Sequence, residues 1–113
     1  MEIRQVTDNL ALAGQISLQD FEQLVAHGFK TFINNRPDGE GVDQPPRNEF
    51  EAKAQALGVA YHYLPLNAGT PPSVELAQQF KAVLNKAEGP VLAYCRSGNR
   101  SGMIAQLAFS LPD

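Results

Sequence analysis

The chain has 113 residues, of which 43% are hydrophobic and 19% are charged, and its net charge at neutral pH is −3. This length and composition are typical of one globular domain, which we place at residues 1–113. Its apolar runs are too short for a membrane span of about 20 residues, and it has no basic tract for nucleic acid, so neither is an expected partner.

The first residues lack the basic start and the long apolar stretch of a secretory signal. A single cysteine cannot form an internal disulfide, which fits a reducing compartment. We therefore expect a cytoplasmic protein. Its oligomeric state has no signature in the sequence.

The first part of the chain predicts two strands and a helix. In the segment EIRQVTDNLALAG, an Asp-Asn turn separates two short strands. In the next segment, SLQDFEQLVAHG, Ser17 is the expected N-cap of a helix, Asp20 its capping-box partner and Gly28 its end. The apolar members of the strand pair are Ile3, Val6, Leu10 and Leu12.

Strands and helices alternate in the remainder of the chain. The segments FKTFIN, VAYHYLPL and PVLAY predict strands, and the last is continuously apolar, as a strand buried on both faces should be. Helices are expected from Pro46 to Gly58, in SVELAQQFKAVLNKAEG and from Arg100 onward. The predicted buried face of the middle helix comprises Val74, Leu76, Ala77, Phe80, Val83 and Leu84.

This alternation predicts an α/β fold. We expect a single-domain three-layer sandwich, in which a mainly parallel sheet of four or five strands carries helices on both faces.

The only cysteine, Cys95, lies in the stretch LAYCRSGNRSGM, directly after the last predicted strand. Unpaired N–H groups and the helix dipole create a positive field at the start of the following helix. Gly98 allows the loop amides to turn inward, and Arg100 can bind an oxyanion with two donors. The same field favours a thiolate. A cysteine that only packs would not need arginine neighbours, so we interpret Cys95 and Arg100 as catalytic.

The other residues of this segment complete a predicted anion-binding loop. Ser101 is expected either to cap the helix or to donate a hydrogen bond to the sulfur. Arg96 either joins the anion site or points to solvent. The supporting loop positions are Arg96, Ser97, Gly98, Asn99 and Ser101.

A second polar loop, NRPDGEGVDQPP, follows the strand FKTFIN and is expected at the same edge of the sheet. It offers Asp38, Glu40 and Asp43 as candidate acids, and Arg36, Asp38 and Glu40 as possible support for the loop. For Arg36 we favour an ion pair with one of the two acids. For Asp38, in a Pro-Asp-Gly turn, we favour hydrogen bonds to nearby backbone.

Three runs of the sequence resemble one known family. GQISLQDFEQLVAHGFKTFINNRPDGE, GVAYHYLPL and GPVLAYCRSGNRS are similar to the phosphatase-like domain of the beta-lactamase-hydrolase-like proteins, a bacterial family. The resemblance spans nearly the whole chain. That family resembles the dual-specificity tyrosine phosphatases in fold, which implies a parallel sheet with the cysteine loop at its carboxyl edge.

Two departures from the phosphatase pattern favour a different reaction. Tyrosine phosphatases carry His-Cys-x5-Arg, whereas Cys95 to Arg100 is Cys-x4-Arg and Tyr94 precedes the cysteine, which is closer to the loop of single-domain rhodanese-like sulfurtransferases. The loop NAGTPP, where the resembled phosphatases carry an aspartic acid, has no acid. We therefore expect sulfane-sulfur transfer through a Cys95 persulfide, from a small oxyanion or persulfide donor to a thiol acceptor.

Two alternatives remain open. One is a phosphomonoester phosphatase of the tyrosine or dual-specificity type, which forms a phosphocysteine at Cys95 from a phosphorylated substrate. The other is a non-catalytic module that binds an anion or senses oxidation. No cofactor is expected, and His27 and His62 lack a metal-ligand spacing.

Overall fold

A five-stranded sheet forms the centre of the structure, a computed structural model that describes residues 1–112. In space the first and second strands are neighbours, followed by the fifth, third and fourth. All neighbours are parallel except the first two, which are antiparallel. The mainly parallel sheet is thus confirmed. Its strands are β1 (Ile3–Gln5), β2 (Leu10–Ala13), β3 (Thr31–Asn34), β4 (Ala60–Tyr63) and β5 (Val91–Tyr94).

Four helices cover the two faces of the sheet, and they complete the predicted three-layer sandwich. Their bounds are α1 (Leu18–Ala26), α2 (Arg47–Leu57), α3 (Val74–Lys86) and α4 (Asn99–Ser110). Helices α1 and α2 pack on one face through a cluster that includes Phe21 and Phe50. Helices α3 and α4 pack on the other face through a cluster that includes Phe80 and Ile104.

Strand β5 occupies the middle of the sheet, between β2 and β3. Its side chains alternate between the two faces, since Val91 and Ala93 join one cluster and Leu92 and Tyr94 join the other. All four residues are buried, as the continuous apolar run predicts. The residue that follows, Cys95, therefore stands at the carboxyl edge of the sheet, at its centre.

The helix ends follow the sequence signals closely. Ser17 Oγ accepts a hydrogen bond from the Asp20 amide at 2.9 Å, and the Ser17 amide donates to the Asp20 carboxylate at 3.0 Å. Helix α2 runs from its N-cap Pro46 to its C-cap Gly58, as predicted. Helix α4 begins at Asn99, one residue before the predicted start.

Three expectations are wrong. Val74 is 52% exposed because it is the first residue of α3, at the open end of the helix. Val6, an expected member of the strand pair, lies after the end of β1. Strand β4 is half the predicted length, since the chain leaves regular strand geometry after Tyr63.

Within residues 1–112, no helix is both long enough and apolar enough to cross a membrane.

The Ser17 cap should contribute measurably to stability. We expect Ser17→Ala to lower the free energy of unfolding by about 1 kcal/mol, because the Asp20 amide loses its partner. Urea unfolding measures this change. Ser110→Ala is the control, since its hydroxyl bonds only a carbonyl in the last turn of α4. An equal loss in both variants would contradict the role of the cap.

Candidate active site at the carboxyl edge of the sheet

The loop between β5 and α4 curls around the sulfur of Cys95. The Gly98 amide donates a hydrogen bond to Sγ at 3.1 Å, which closes a tight turn over residues 95–98. Gly98 is the N-cap of α4 and has φ +93°, a conformation that residues with a side chain rarely adopt. The first amides of α4 are therefore directed to the same place as the sulfur.

This loop rests directly on the end of β2. The Gln15 amide donates to the Arg96 carbonyl at 3.1 Å, and the Cys95 amide faces the Ala13 carbonyl at 3.4 Å. A Cβ atom at Gly14 would lie 2.9 Å from the Arg96 carbonyl oxygen. The close approach of the loop to β2 thus depends on glycine at position 14.

Cys95 is buried, and its surroundings favour the thiolate on balance. Burial raises the pKa of the thiol, but hydrogen bonds from the backbone of Ser101 and Ser97, the Ser101 side chain and the Gly98 amide outweigh it. The pKa of Cys95 therefore lies below its ordinary value. This is the environment expected for a cysteine at a helix N-terminus.

Arg100 faces the sulfur with one edge of its guanidinium group. Its Nη1 donates to Glu40 at 2.6 Å and to the Leu66 carbonyl at 2.8 Å, while Nη2 donates to Glu40 at 2.8 Å. These bonds use three of the five N–H donors and leave Nε–H and one Nη2–H, as far as the described residues go. The hydrogen bond with Glu40 is the main cause that raises the pKa of Arg100, and the Cys95 sulfur adds to it.

Glu40 connects the two arginines of the site. Its carboxylate accepts from Arg100 and, at 3.0 Å, from Arg36 Nε. Arg36 in turn donates to Gln15 Oε1 at 3.0 Å. The hydrogen bond from Arg100 is the largest cause that lowers the pKa of Glu40 to about 2, against a smaller effect of burial. At neutral pH Glu40 is a carboxylate, so the geometry favours loop support over a role as an acid.

Asp38 bonds locally, as its turn motif indicates. Its Oδ1 accepts a hydrogen bond from the Arg47 amide at 2.9 Å, at the start of α2. Its Oδ2 pairs with Arg47 Nε at 3.3 Å. Arg36 pairs with Glu40, one of its two expected partners.

The remaining predicted loop residues separate into two groups. Arg96, Ser97 and Asn99 are exposed. Ser101 is buried, and the first of its two expected roles, the cap of α4, is wrong, because the N-cap is Gly98. The second, a hydrogen bond to the sulfur, is among the causes that lower the pKa of Cys95. The Ser101 hydroxyl also donates to Asn35 Oδ1 at 2.7 Å. Among residues 1–112, no three histidine, cysteine, aspartate or glutamate side chains are grouped to hold a metal ion.

An open cleft of about 360 Å³ borders the loop on the β1 side. Arg4, Gln15, Ser97 and Asn99 are among its lining residues, and Cys95 is not.

Comparison with known proteins identifies the family. Residues 2–111 match the family described as "beta-lactamase hydrolase-like protein, phosphatase-like domain". The chain belongs to this family. It is 37% identical over 101 residues to the beta-lactamase hydrolase-like protein of Agrobacterium fabrum, a match that covers 89% of this chain and 23% of that protein. The chain thus spans about a quarter of the length of this curated relative.

Solved structures share the same fold. A candidate phosphatase from Neisseria meningitidis is 32% identical, with a TM-score of 0.84 over 99% of this chain and 81% of that one. The catalytic domain of the PP-IP phosphatase SIW14 from S. cerevisiae is 16% identical, with a TM-score of 0.70 over 98% of this chain and 78% of that one. The second likeness concerns the fold alone. Together they confirm a phosphatase-like domain of the dual-specificity type of fold.

Three contributors to the site were not predicted from the sequence: Asn35, Gln15 and the Leu66 carbonyl. The signal for Asn35 is a pair of asparagines at the end of an apolar strand, where a buried polar side chain requires a partner. A carbonyl group such as that of Leu66 has no signature in the sequence.

Gly14 and Gly102 provide a matched test of the loop packing. We expect Gly14→Ala to lower the free energy of unfolding by about 1–3 kcal/mol, because its Cβ meets backbone. Gly102→Ala should be neutral or stabilising by up to about 1 kcal/mol, because it lies inside α4 and its closest neighbour is the end of the Arg4 side chain. Urea unfolding measures both, and equal effects would contradict the close packing at position 14.

The Glu40 pKa predicts a pH dependence of stability. A pKa lowered from 4.5 to about 2 stabilises the fold fully above pH 4.5, and this contribution is lost as the pH falls towards 2. We expect Glu40→Gln to lower the free energy of unfolding by about 1–2 kcal/mol at pH 7 and by progressively less at acidic pH. Urea unfolding from pH 7 to pH 3 measures this, with the exposed Glu88→Gln as control. A difference from wild type that stays constant over this range would contradict the ion pair.

Proposed function

We propose that this domain hydrolyses phosphomonoesters through a phosphocysteine at Cys95. The observation that carries the proposal is the guanidinium of Arg100, in which Glu40 and Leu66 bind three N–H groups and leave Nε–H and one Nη2–H, and which is close enough to the Cys95 sulfur for the sulfur to raise its pKa. Two parallel donors at a nucleophile fit two oxygens of a phosphoryl group. The phosphatase-like family supports the same reaction.

The proposed reaction has two displacements at phosphorus. The Cys95 thiolate attacks phosphorus, the bond from phosphorus to the ester oxygen breaks, and the loop amides and Arg100 stabilise charge on the non-bridging oxygens. Water then attacks the phosphocysteine, the S–P bond breaks, and phosphate leaves as the thiolate is restored. No second thiol is required.

Among the described residues, the site shows no evident acid that could protonate the leaving group. The loop 67–72 carries no carboxyl group, Glu40 is ionised, Asp38 is bonded to α2, and Asp43 is exposed to solvent. We infer that the leaving oxygen takes its proton from solvent. Esters whose leaving group is stable without a proton should therefore react fastest. Aryl phosphates should thus react faster than alkyl phosphates.

Sulfane-sulfur transfer, which the short loop favours in the sequence, receives no support from the relatives described above. That expectation rested on the length of the loop and on the missing acid in the loop 67–72. A shorter loop has fewer amides that can bind the anion. The two remaining N–H donors of Arg100 supply hydrogen bonds in their place. Phosphoryl transfer is therefore the better proposal for this chain.

Hydrolysis of p-nitrophenyl phosphate, phenyl phosphate and an alkyl phosphate tests the proposal. We expect kcat/KM to fall steeply as the leaving group becomes more basic. Cys95→Ser should lower it about a thousandfold or more, because the nucleophile is lost. Arg100→Lys should lower it about a hundredfold, because a lysine has no forked pair of donors. Arg47→Lys, on α2, is the matched control.

The same preparation should be incubated with thiosulfate and its intact mass measured. Gain of one sulfur by wild type but not by Cys95→Ser, without phosphate release, would replace the phosphatase proposal with sulfur transfer. Phosphate release that is equal in wild type and Cys95→Ser would exclude the cysteine as nucleophile.

A further inference from the structure

Asn35 lies directly after β3 and is completely buried. Its backbone continues the hydrogen bonding of the sheet on both sides. The Asn35 amide donates to the Tyr94 carbonyl at 2.8 Å, and the Leu66 amide donates to the Asn35 carbonyl at 3.0 Å. Asn35 therefore stands between the residue that precedes Cys95 and the residue whose carbonyl holds Arg100.

The side chain of Asn35 has one orientation that satisfies its neighbours. Its Nδ2 donates to the Leu64 carbonyl at 2.8 Å, and a carbonyl can only accept. Its Oδ1 must therefore face Ser101, whose hydroxyl donates to it at 2.7 Å. Asn35 thus accepts the single hydroxyl proton of Ser101.

The Ser101 hydroxyl is also a hydrogen-bond donor for the Cys95 sulfur. A hydrogen bond from the Ser101 side chain is among the contacts that favour the Cys95 thiolate. A hydroxyl has one proton and can donate to one acceptor at a time. When it turns to the sulfur, Asn35 Oδ1 loses its donor in a buried place, which costs free energy.

We propose that Asn35 is a positioning residue that competes with the Cys95 sulfur for the hydroxyl proton of Ser101. The proposal rests on the thiolate chemistry proposed above. While sulfur is neutral, as a thiol or bonded to phosphorus, the hydroxyl donates to Asn35. When sulfur carries a charge, the charge-assisted bond is the stronger one and the hydroxyl turns to it. Asn35 thus keeps the Ser101 hydroxyl in place while the sulfur is neutral. By competing for the hydroxyl proton, it also reduces the stabilisation of the thiolate.

The other groups around the sulfur do not change in this exchange. From α4 the charged group that faces it is Arg100, and behind Arg100 lie Glu40 and Arg36 from the loop after β3. The loop contributes the amides of Ser97 and Gly98. Variants at Asn35 and Ser101 leave all of these in place, so their effects report the competition for one proton.

The experiment is a pH titration of the Cys95 thiolate by its ultraviolet absorbance, with Cys95→Ser as the blank. We expect Ser101→Ala to lower the ratio of thiolate to thiol about tenfold at a given pH, because a donor is lost. Asn35→Leu, close in size but without an acceptor, should raise the ratio about threefold. In the double variant, Asn35→Leu should have no further effect, because no hydroxyl remains to be shared.

Three results would overturn the proposal. The first is a lower ratio in Asn35→Leu, and the second is an equal effect of that change with and without Ser101. The third is an unchanged ratio in Ser101→Ala, which decides the question even where the Asn35 variant does not fold. Circular dichroism checks folding, and Asn35→Ala is the second variant at that position.

This titration requires no turnover. Failure of phosphate hydrolysis therefore removes the proposed function without deciding the role of Asn35. A failed titration likewise removes the role of Asn35 without deciding whether the domain hydrolyses phosphate esters.

Discussion

The ion pair between Arg100 and Glu40 is the interaction on which the rest of the site depends. An arginine stays charged in proteins, so a guanidinium that is 93% removed from solvent requires a fixed partner. Glu40 and the Leu66 carbonyl supply that partner along one edge, which aims the other edge at Cys95. Because Glu40 also binds Arg36, the pair connects α4 to the loop after β3.

The sheet brings these parts together through the order of its strands. The carboxyl ends of parallel neighbours meet at one edge, and here β2 supplies Gly14, β5 supplies Cys95 and β3 supplies Asn35. Cys95 and Asn35 contribute through their backbones as well as their side chains, and Gly14 contributes through its backbone alone. The cysteine loop rests on β2, while Asn35 bonds the last carbonyl of β5. The position of the sulfur is thus set by main-chain geometry.

Sequence patterns predicted what is local in the chain. Periodicity and caps located the helices, and Cys95 and Arg100 were recognised because only four residues separate them in one loop. Asn35 lies 66 residues from Ser101, and Glu40 lies 60 residues from Arg100, so their contacts arise only in the folded chain. The length of the cysteine loop favoured sulfur transfer in the sequence. A count of residues does not show which N–H donors of an arginine remain for a ligand, and only the folded chain shows that.

The hydrogen bonds of Arg100 to Glu40 and Leu66 affect the free energy of anion binding. Three hydrogen bonds to Glu40 and Leu66 fix the guanidinium, and the Gly98 amide is bonded to the sulfur. An oxyanion that binds to groups fixed in this way orders few side chains. Little of the binding free energy is then spent on reorganisation, and more of it remains as affinity for the anion itself.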